Sequence, residues 1–227
     1  MLLETLEGAI LLLWYEQGGA SLEILRIDSY NDSRFSQNVL NQHGAYLVDG
    51  EPFEVEISGP DSAILRGSRQ DAFPELIEFF RFHAPHITKL YDEIGRLVAS
   101  FPDVERICIP LDTIQPSQFY VDRTKLDAVG SFLSKAEDIV IQVLPWEDRF
   151  IALDGHTRLF WALRRGIKQV YAVVSESDEW VWSFVNEARA RGISTPGDMK
   201  LLEHEEYVLL WDRYCDAQFA GREGDTE

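Results

Sequence analysis

The sequence predicts an α+β protein. Three observations lead there: the first hundred residues run as strands followed by helices, strands and helices alternate from Val104 onward, and the composition is globular. Hydrophobic residues make up 45% of the 227 and charged residues 26%, which supplies enough apolar material for a sizeable core. The changes of pattern divide the chain into an N-terminal α+β region over 1–103, a mixed domain over 104–175 and a C-terminal helical extension over 176–227.

In the N-terminal region the apolar run Ala9–Tyr15 ends at Gln17-Gly18-Gly19. The Leu- and Ile-rich stretch Ser21–Ile27 follows, which together is the pattern of a hairpin. Ser33–Gln42 suits one short helix. Asp49-Gly50 lies between Ala45–Val48 and Pro52–Ile57 and is the strongest hairpin signal, because both residues accept positive φ. Gly59-Pro60-Asp61 then turns the chain into Ala63–Arg66. Phe73, Leu76, Ile77 and Phe80 recur at helical spacing, and Pro85 interrupts them. Ile87, Leu90, Ile94, Leu97 and Val98 predict a second amphipathic helix, and Phe101-Pro102-Asp103 a linker.

Beyond the linker, Val104–Ile109 is expected as a strand, Ile114–Ser117 as a loop and Asp122–Lys135 as a helix. Asp138–Leu144 and Arg149–Leu153 are expected as strands joined through Pro145-Trp146-Glu147-Asp148. His156–Arg165 reads as a helix closed by Gly166, Gln169–Val174 as a strand and Asp178–Arg191 as a helix stopped by Gly192. Leu201–Phe219 predicts a longer helix with Val208, Trp211 and Cys215 on its inner face.

The formal net charge is −18 and is unevenly spread. Residues 1–103 carry 7 basic and 17 acidic side chains, residues 104–175 carry 9 and 9, and residues 176–227 carry 5 and 13. Acidic flanks disfavour long nucleic acid and anionic membrane, whereas the neutral middle admits a small anion. The N-terminus lacks the basic start of a signal peptide, and the longest apolar run is far short of the ~20 residues of a membrane helix. A cytoplasmic protein is expected. Cys108 and Cys215 make no disulfide or metal framework and are expected to be reduced and packed.

The chemistry concentrates in Asp154-Gly155-His156-Thr157-Arg158, where a strand ends and a helix begins at once. The first amides of such a helix lack intrahelical partners, and its dipole puts partial positive charge there, so an anion meets converging donors. Gly155 allows close backbone approach, Arg158 adds a planar cationic fork and Thr157 a hydroxyl. Asp154 can cap the helix, hold a metal or bind a sugar hydroxyl, and His156 can meet phosphate or transfer a proton. The plainer alternative is a capped helix start with surface polar residues. Elsewhere, His83 and His86 are separated by Pro85, and His204 lacks the second His of a zincin motif. Trp146, in a turn near the proposed site, is a candidate ligand contact.

The run from Ile109-Pro110-Leu111 through Ile114-Gln115-Pro116-Ser117, Lys125-Leu126 and Ile141-Gln142-Val143 to Asp154–Arg158 resembles the ParB N-terminal (ParB/sulfiredoxin-like) domain over roughly Val104–Val174. The resemblance implies a mixed α+β ParB/sulfiredoxin-like domain between the N-terminal region and C-terminal helices. It further implies ATP, ADP or CTP as ligand, with Gly155, His156, Thr157 and Arg158 on the phosphates. His156 and Asp154 would be the catalytic candidates, Asp154 the candidate ligand for magnesium, and Ser117 and Gln118 a substrate-side loop. Serine kinases of this superfamily place a catalytic glutamate just after the first-loop proline. Here Pro116-Ser117-Gln118 stands there, and an amide cannot serve as general base, so phosphoryl transfer by that route would need Asp112 or Asp122 to substitute. Partition proteins of the superfamily continue into a DNA-binding module, whereas the residues after Val174 are few and acidic, so a DNA-partition role is not expected. The expected function is therefore a nucleotide-binding protein, either a phosphotransferase for a small hydroxyl-bearing metabolite or a non-catalytic nucleotide sensor. A nuclease-like or DNA-associated role ranks below both, and a homodimer is left open.

Overall fold

The computed structural model describes residues 22–220, which divide into two compact units, residues 22–103 with 214–220 and residues 104–213. The expected strand Ala9–Tyr15 lies outside the described residues.

The first unit is built on a six-stranded sheet. Its elements are β1 (Ile24–Arg26), α1 (Gln37–Asn41), β2 (Ala45–Val48), β3 (Glu51–Ile57), β4 (Ser62–Gly67), α2 (Phe73–His83), β5 (Lys89–Asp92) and β6 (Leu97–Ser100). The strands lie in sequence order, antiparallel except for β4 beside β5, and α2 makes that one parallel crossover. Asp49 and Gly50 both take positive φ between β2 and β3, as a two-residue hairpin turn requires. Phe53, Val55 and Leu65 on the sheet and Leu76, Ile77 and Phe80 on α2 form one continuous core. A smaller cluster of Phe35, Val39, Leu40 and Ala45 seats α1. Its N-cap is Ser36, whose hydroxyl accepts from the Val39 amide.

The second amphipathic helix expected over 87–98 is instead the β5–β6 hairpin. The Asp92 carboxylate accepts from the amides of Ile94 and Arg96, and Gly95 takes φ +81, so the chain reverses there. Leu90 is buried while Ile94 is 70% and Leu97 57% exposed, so the helical spacing of these apolar residues does not describe one buried face.

The second unit carries β7 (Ile107–Pro110), β8 (Ile114–Pro116), β9 (Tyr120–Asp122), α3 (Arg123–Phe132), β10 (Val140–Trp146), β11 (Arg149–Ala152), α4 (His156–Arg164), β12 (Gln169–Val174), α5 (Trp180–Ala190), β13 (Lys200–Leu202) and α6 (His204–Tyr207). Five strands form a mixed sheet in the order β7-β12-β10-β11-β8, and β9 pairs in parallel with β13. Ile114–Ser117, expected as a loop, therefore contains a buried strand, because Ile114, Gln115 and Pro116 pair with Phe150, Ile151 and Ala152. The hairpin turn between β10 and β11 is Glu147-Asp148, with Glu147 at positive φ.

The long helix expected from Leu201 begins as β13, continues as α6 and a π-helical turn over Val208–Asp212, and ends as α7 (Arg213–Ala220). Its first residues are drawn into a ladder with β9, some 80 positions earlier, which no local pattern announces. The division at 175/176 expected from sequence does not separate two bodies. Val181, Phe184, Val185 and Ala188 of α5 are buried within the second unit, so residues 176–213 complete its core. Cys108, expected to pack, is exposed on the edge strand β7. No helix among the described residues is long and apolar enough to cross a membrane.

Gly44 shows how closely the first unit is assembled. A Cβ there would lie 2.0 Å from the Val55 carbonyl oxygen, while the Val55 amide donates to Gly44 O at 2.7 Å. Gly44→Ala is expected to destabilise the first unit by about 1–3 kcal/mol through this backbone clash, measured as a lower urea midpoint with an unchanged slope.

Candidate functional site

The β11–α4 junction decides where each polar residue of 154–158 points. β11 ends at Ala152, and Leu153 extends the ladder by donating its amide to Gln142 O at 2.9 Å. Gly155 then takes φ +82, a left-handed conformation, as the N-cap of α4. A Cβ at Gly155 would lie 2.5 Å from Ile141 Cγ2, so both its backbone angle and its surroundings demand glycine. Leu159 N closes the first helical bond onto Gly155 O at 2.9 Å. The earlier helical amides, of His156, Thr157 and Arg158, meet no capping side chain.

His156 turns inward and is buried. Its Nε2 accepts from the Ser117 amide at 3.1 Å, and the Ser117 hydroxyl donates to Ala152 O at 2.8 Å. A ring nitrogen that accepts a backbone N–H carries no proton, so the hydrogen sits on Nδ1 and the ring is neutral. Burial pushes the His156 pKa down to about 4. The Asp154 carboxylate pulls it upward and the Arg158 guanidinium pushes it further down, and burial wins. His156 thus links the end of β8 to the start of α4, and its ring faces Ser117.

Arg158 is half-buried over the turn, its Nη1 donating to Val140 O at 2.5 Å and its Nη2 to Asp154 Oδ2 at 2.7 Å. Two of its five N–H donors are used in these bonds. The hydroxyl of Thr157, half-buried in the same first turn, makes no hydrogen bond to another described residue. The structure therefore gathers Asp154, Gly155, Thr157 and Arg158 at one helix end, with Ser117 held beside them through His156. Gln118 points elsewhere, donating to Tyr120 O at 2.6 Å and to the Tyr207 hydroxyl at 3.0 Å. Asp122 is fully buried as the N-cap of α3, accepting from Thr124 N at 2.7 Å and pairing with His204 Nδ1 at 2.8 Å. Asp112 is exposed.

Asp154 pairs with Arg158, and no group of three or more His, Cys, Asp or Glu side chains suited to an ion occurs among the described residues, so an all-protein metal cage is not formed there. Trp146 is the last residue of β10, at the hairpin turn, and so lies at the opposite end of the β10–β11 pair from Asp154. There it packs edge-on against Trp182, with the Arg189 guanidinium 5.1 Å from its ring centroid. The basic residues Arg164, Arg165 and Lys168 lie at the far end of α4, about 12 Å along the helix by its rise. That far end borders an open cleft of about 350 Å³ lined by Leu111, Leu163, Ile167, Lys168 and Pro196.

Two structural brackets at this end were missed by sequence reasoning. One is Val140 O, a backbone acceptor that leaves no trace in residue type. The other is Gln115, whose buried amide donates to Ile193 O at 2.9 Å and ties β8 to the segment after α5. A glutamine within an apolar stretch is the only local signal of that tie.

No family model and no curated protein matches this chain. Over part of its length it is similar to the protein Atu1540 from Agrobacterium tumefaciens, at 15% identity and a TM-score of 0.31, covering 42% of this chain and 61% of that one. It is also similar to a free serine kinase solved in complex with AMP, at 23% identity and a TM-score of 0.27, covering 33% of this chain and 32% of that one. The chain thus spans less than two thirds of either protein's length.

The buried imidazole ties stability to pH. Its pKa is about 4 in the folded protein against 6.5 when solvated, so between those values the unfolded chain binds the extra proton. The contribution is complete above pH 6.5 and is lost as pH falls towards 4, about 3 kcal/mol in all. Urea unfolding across that range should show this loss, and His156→Gln should remove it from the profile.

Proposed function

We propose that residues 104–213 bind a small nucleotide by its phosphates at the N-terminus of α4, and that this binding serves recognition rather than phosphoryl transfer. The observation that carries the reading is the glycine-capped start of α4, where uncapped amides meet the Thr157 hydroxyl and the unused donors of Arg158. A phosphate there would take backbone N–H bonds along the positive end of the helix dipole, and Arg158 would add charge-assisted bonds. The partly exposed Asp154 would be repelled by that phosphate yet suits a ribose hydroxyl, which favours a nucleotide over bare phosphate. ATP, ADP and CTP are the ligands in view.

Transfer to a hydroxyl-bearing metabolite needs a base beside the accepting oxygen. His156 accepts a hydrogen bond from the Ser117 amide, Gln118 is an amide bonded to Tyr207, and Asp122 is fully buried and bonded to Thr124 and His204. These commitments favour the non-catalytic form of the function over the phosphotransferase that the sequence resemblance raised. Magnesium would enter with the nucleotide rather than at a resident protein site.

Calorimetric titration with ATP, ADP and CTP, with and without magnesium, tests the reading. Saturable binding is expected, with Arg158→Ala about 10- to 100-fold weaker, since a charge-assisted hydrogen bond contributes about 1.5–3 kcal/mol. Thr157→Val, which leaves the Val140 and Asp154 bonds intact, should weaken binding by a smaller factor. Absence of binding to the wild type, or equal affinity in a folded Arg158→Ala protein, sinks the phosphate site. Turnover of bound nucleotide in the presence of hydroxyl substrates would restore the phosphotransferase.

A further inference from the structure

The first unit holds three side chains in a line that its fold does not require. Tyr30, between β1 and α1, bonds through its hydroxyl to His43 Nε2 at 2.9 Å. His43 Nδ1 lies 3.1 Å from Asp28 Oδ1. Arg26 grips both oxygens of Asp28, from Nε at 2.8 Å and Nη2 at 3.1 Å. Burial raises the Asp28 pKa, but the His43 hydrogen bond and the Arg26 charge outweigh it and hold the carboxyl well below the usual carboxylate range. An ionised carboxylate only accepts, so the imidazole proton belongs on Nδ1, and the Nε2 lone pair faces the Tyr30 O–H.

A hydroxyl in hydrogen-bond contact with a base, itself oriented by a third group, is the arrangement that activates a nucleophile. The backbone fixes the base. His43 follows the C-cap of α1 at φ +55, its amide donates to Leu40 O at 3.1 Å, and the next amide, Gly44 N, donates to Val39 O at 2.9 Å. The line is open to small reagents, with 34% of the His43 side chain and 25% of the Asp28 side chain exposed and Tyr30 half-buried.

We propose that Tyr30 is an activated nucleophile that takes an acyl group from activated esters, with His43 as its base and Asp28 as a positioning residue. The Tyr30 oxygen bonds to the ester carbonyl carbon while its proton passes to His43 Nε2. The ester C–O bond breaks with its electron pair on the leaving alcohol oxygen, which takes the proton back from His43. Water then cleaves the tyrosyl ester, releasing the acid and restoring the phenol. This site is separate from the nucleotide reading of residues 104–213 and does not rest on it.

The test is reaction of the full chain with p-nitrophenyl acetate at neutral pH, with release of p-nitrophenolate followed in time and acetyl groups located by peptide mass spectrometry. Tyr30 is expected to gain an acetyl group well ahead of Tyr91, which is also half-buried in the first unit but has no imidazole bonded to its hydroxyl in the structure. Tyr30→Phe keeps the ring and should lose the fast phase of p-nitrophenolate release. His43→Asn suits the left-handed backbone and should slow Tyr30 acetylation about 100-fold or more. Asp28→Asn should shift the pH profile of that reaction, which loss of packing alone would not do. Acetylation of Tyr30 at the rate of Tyr91 in the wild type overturns the proposal even if a variant fails to fold. An unchanged rate in a folded His43→Asn protein overturns it equally.

Discussion

Everything at the start of α4 depends on a glycine that no other residue can replace. Gly155 combines a left-handed backbone with a Cα pressed against Ile141, so β11 turns into the helix within two residues. That abruptness determines which neighbours go in and which go out. His156 is carried beneath the turn, where an imidazole is tolerated only as a neutral, hydrogen-bonded group, and the Ser117 amide supplies the bond. Thr157 and Arg158 remain at the rim. The polar residues of 154–158 thereby separate into a buried brace and a partly exposed rim.

Arg158 serves two ends at once. It donates to Val140 O at the start of β10, helping to hold α4 on the sheet, and it pairs with Asp154 four residues before it. In a segment whose formal charge sums to zero, this pair keeps the helix end from presenting a bare cation. At the proposed site an anion would share the guanidinium with Asp154 and draw on the backbone amides and the helix dipole. Arg164, Arg165 and Lys168 sit at the other end of α4, so they contribute little across water and salt at that separation.

The Tyr30–His43–Asp28 line has a comparable origin in register. β1 and β2 pair antiparallel with Arg26 opposite Tyr46, and Ile27 N continues the ladder to Ala45 O at 2.8 Å. One more step brings Asp28 beside Gly44 and hence beside His43. The chain between them makes α1 and returns through a left-handed residue that directs the imidazole back towards Tyr30. Residues 28, 30 and 43 follow no spacing that a motif would capture. Their meeting is a product of strand pairing and helix termination.

The sequence by itself determined the α+β class and the elements whose signals are local. The Asp49-Gly50 hairpin needs residues that accept positive φ, α2 shows a continuous apolar stripe, and the strand–Gly155–helix turn reads directly from residue type. It failed where the deciding partner is distant or where two periods coincide. Ile87–Val98 fits a helical spacing but forms a hairpin once Asp92 collects two amides, and Leu201–Leu202 joins a ladder whose other strand lies 80 residues earlier. The same division runs through the site. The strand–glycine–helix junction over Asp154–Arg158 was legible, because helix ends and glycine turns are local physics. The inward turn of His156, the capture of Arg158 by Val140 O and the turning away of Gln118 to Tyr207 were decided by tertiary structure alone, because burial and hydrogen-bond partners exist only after distant strands and helices have been brought together.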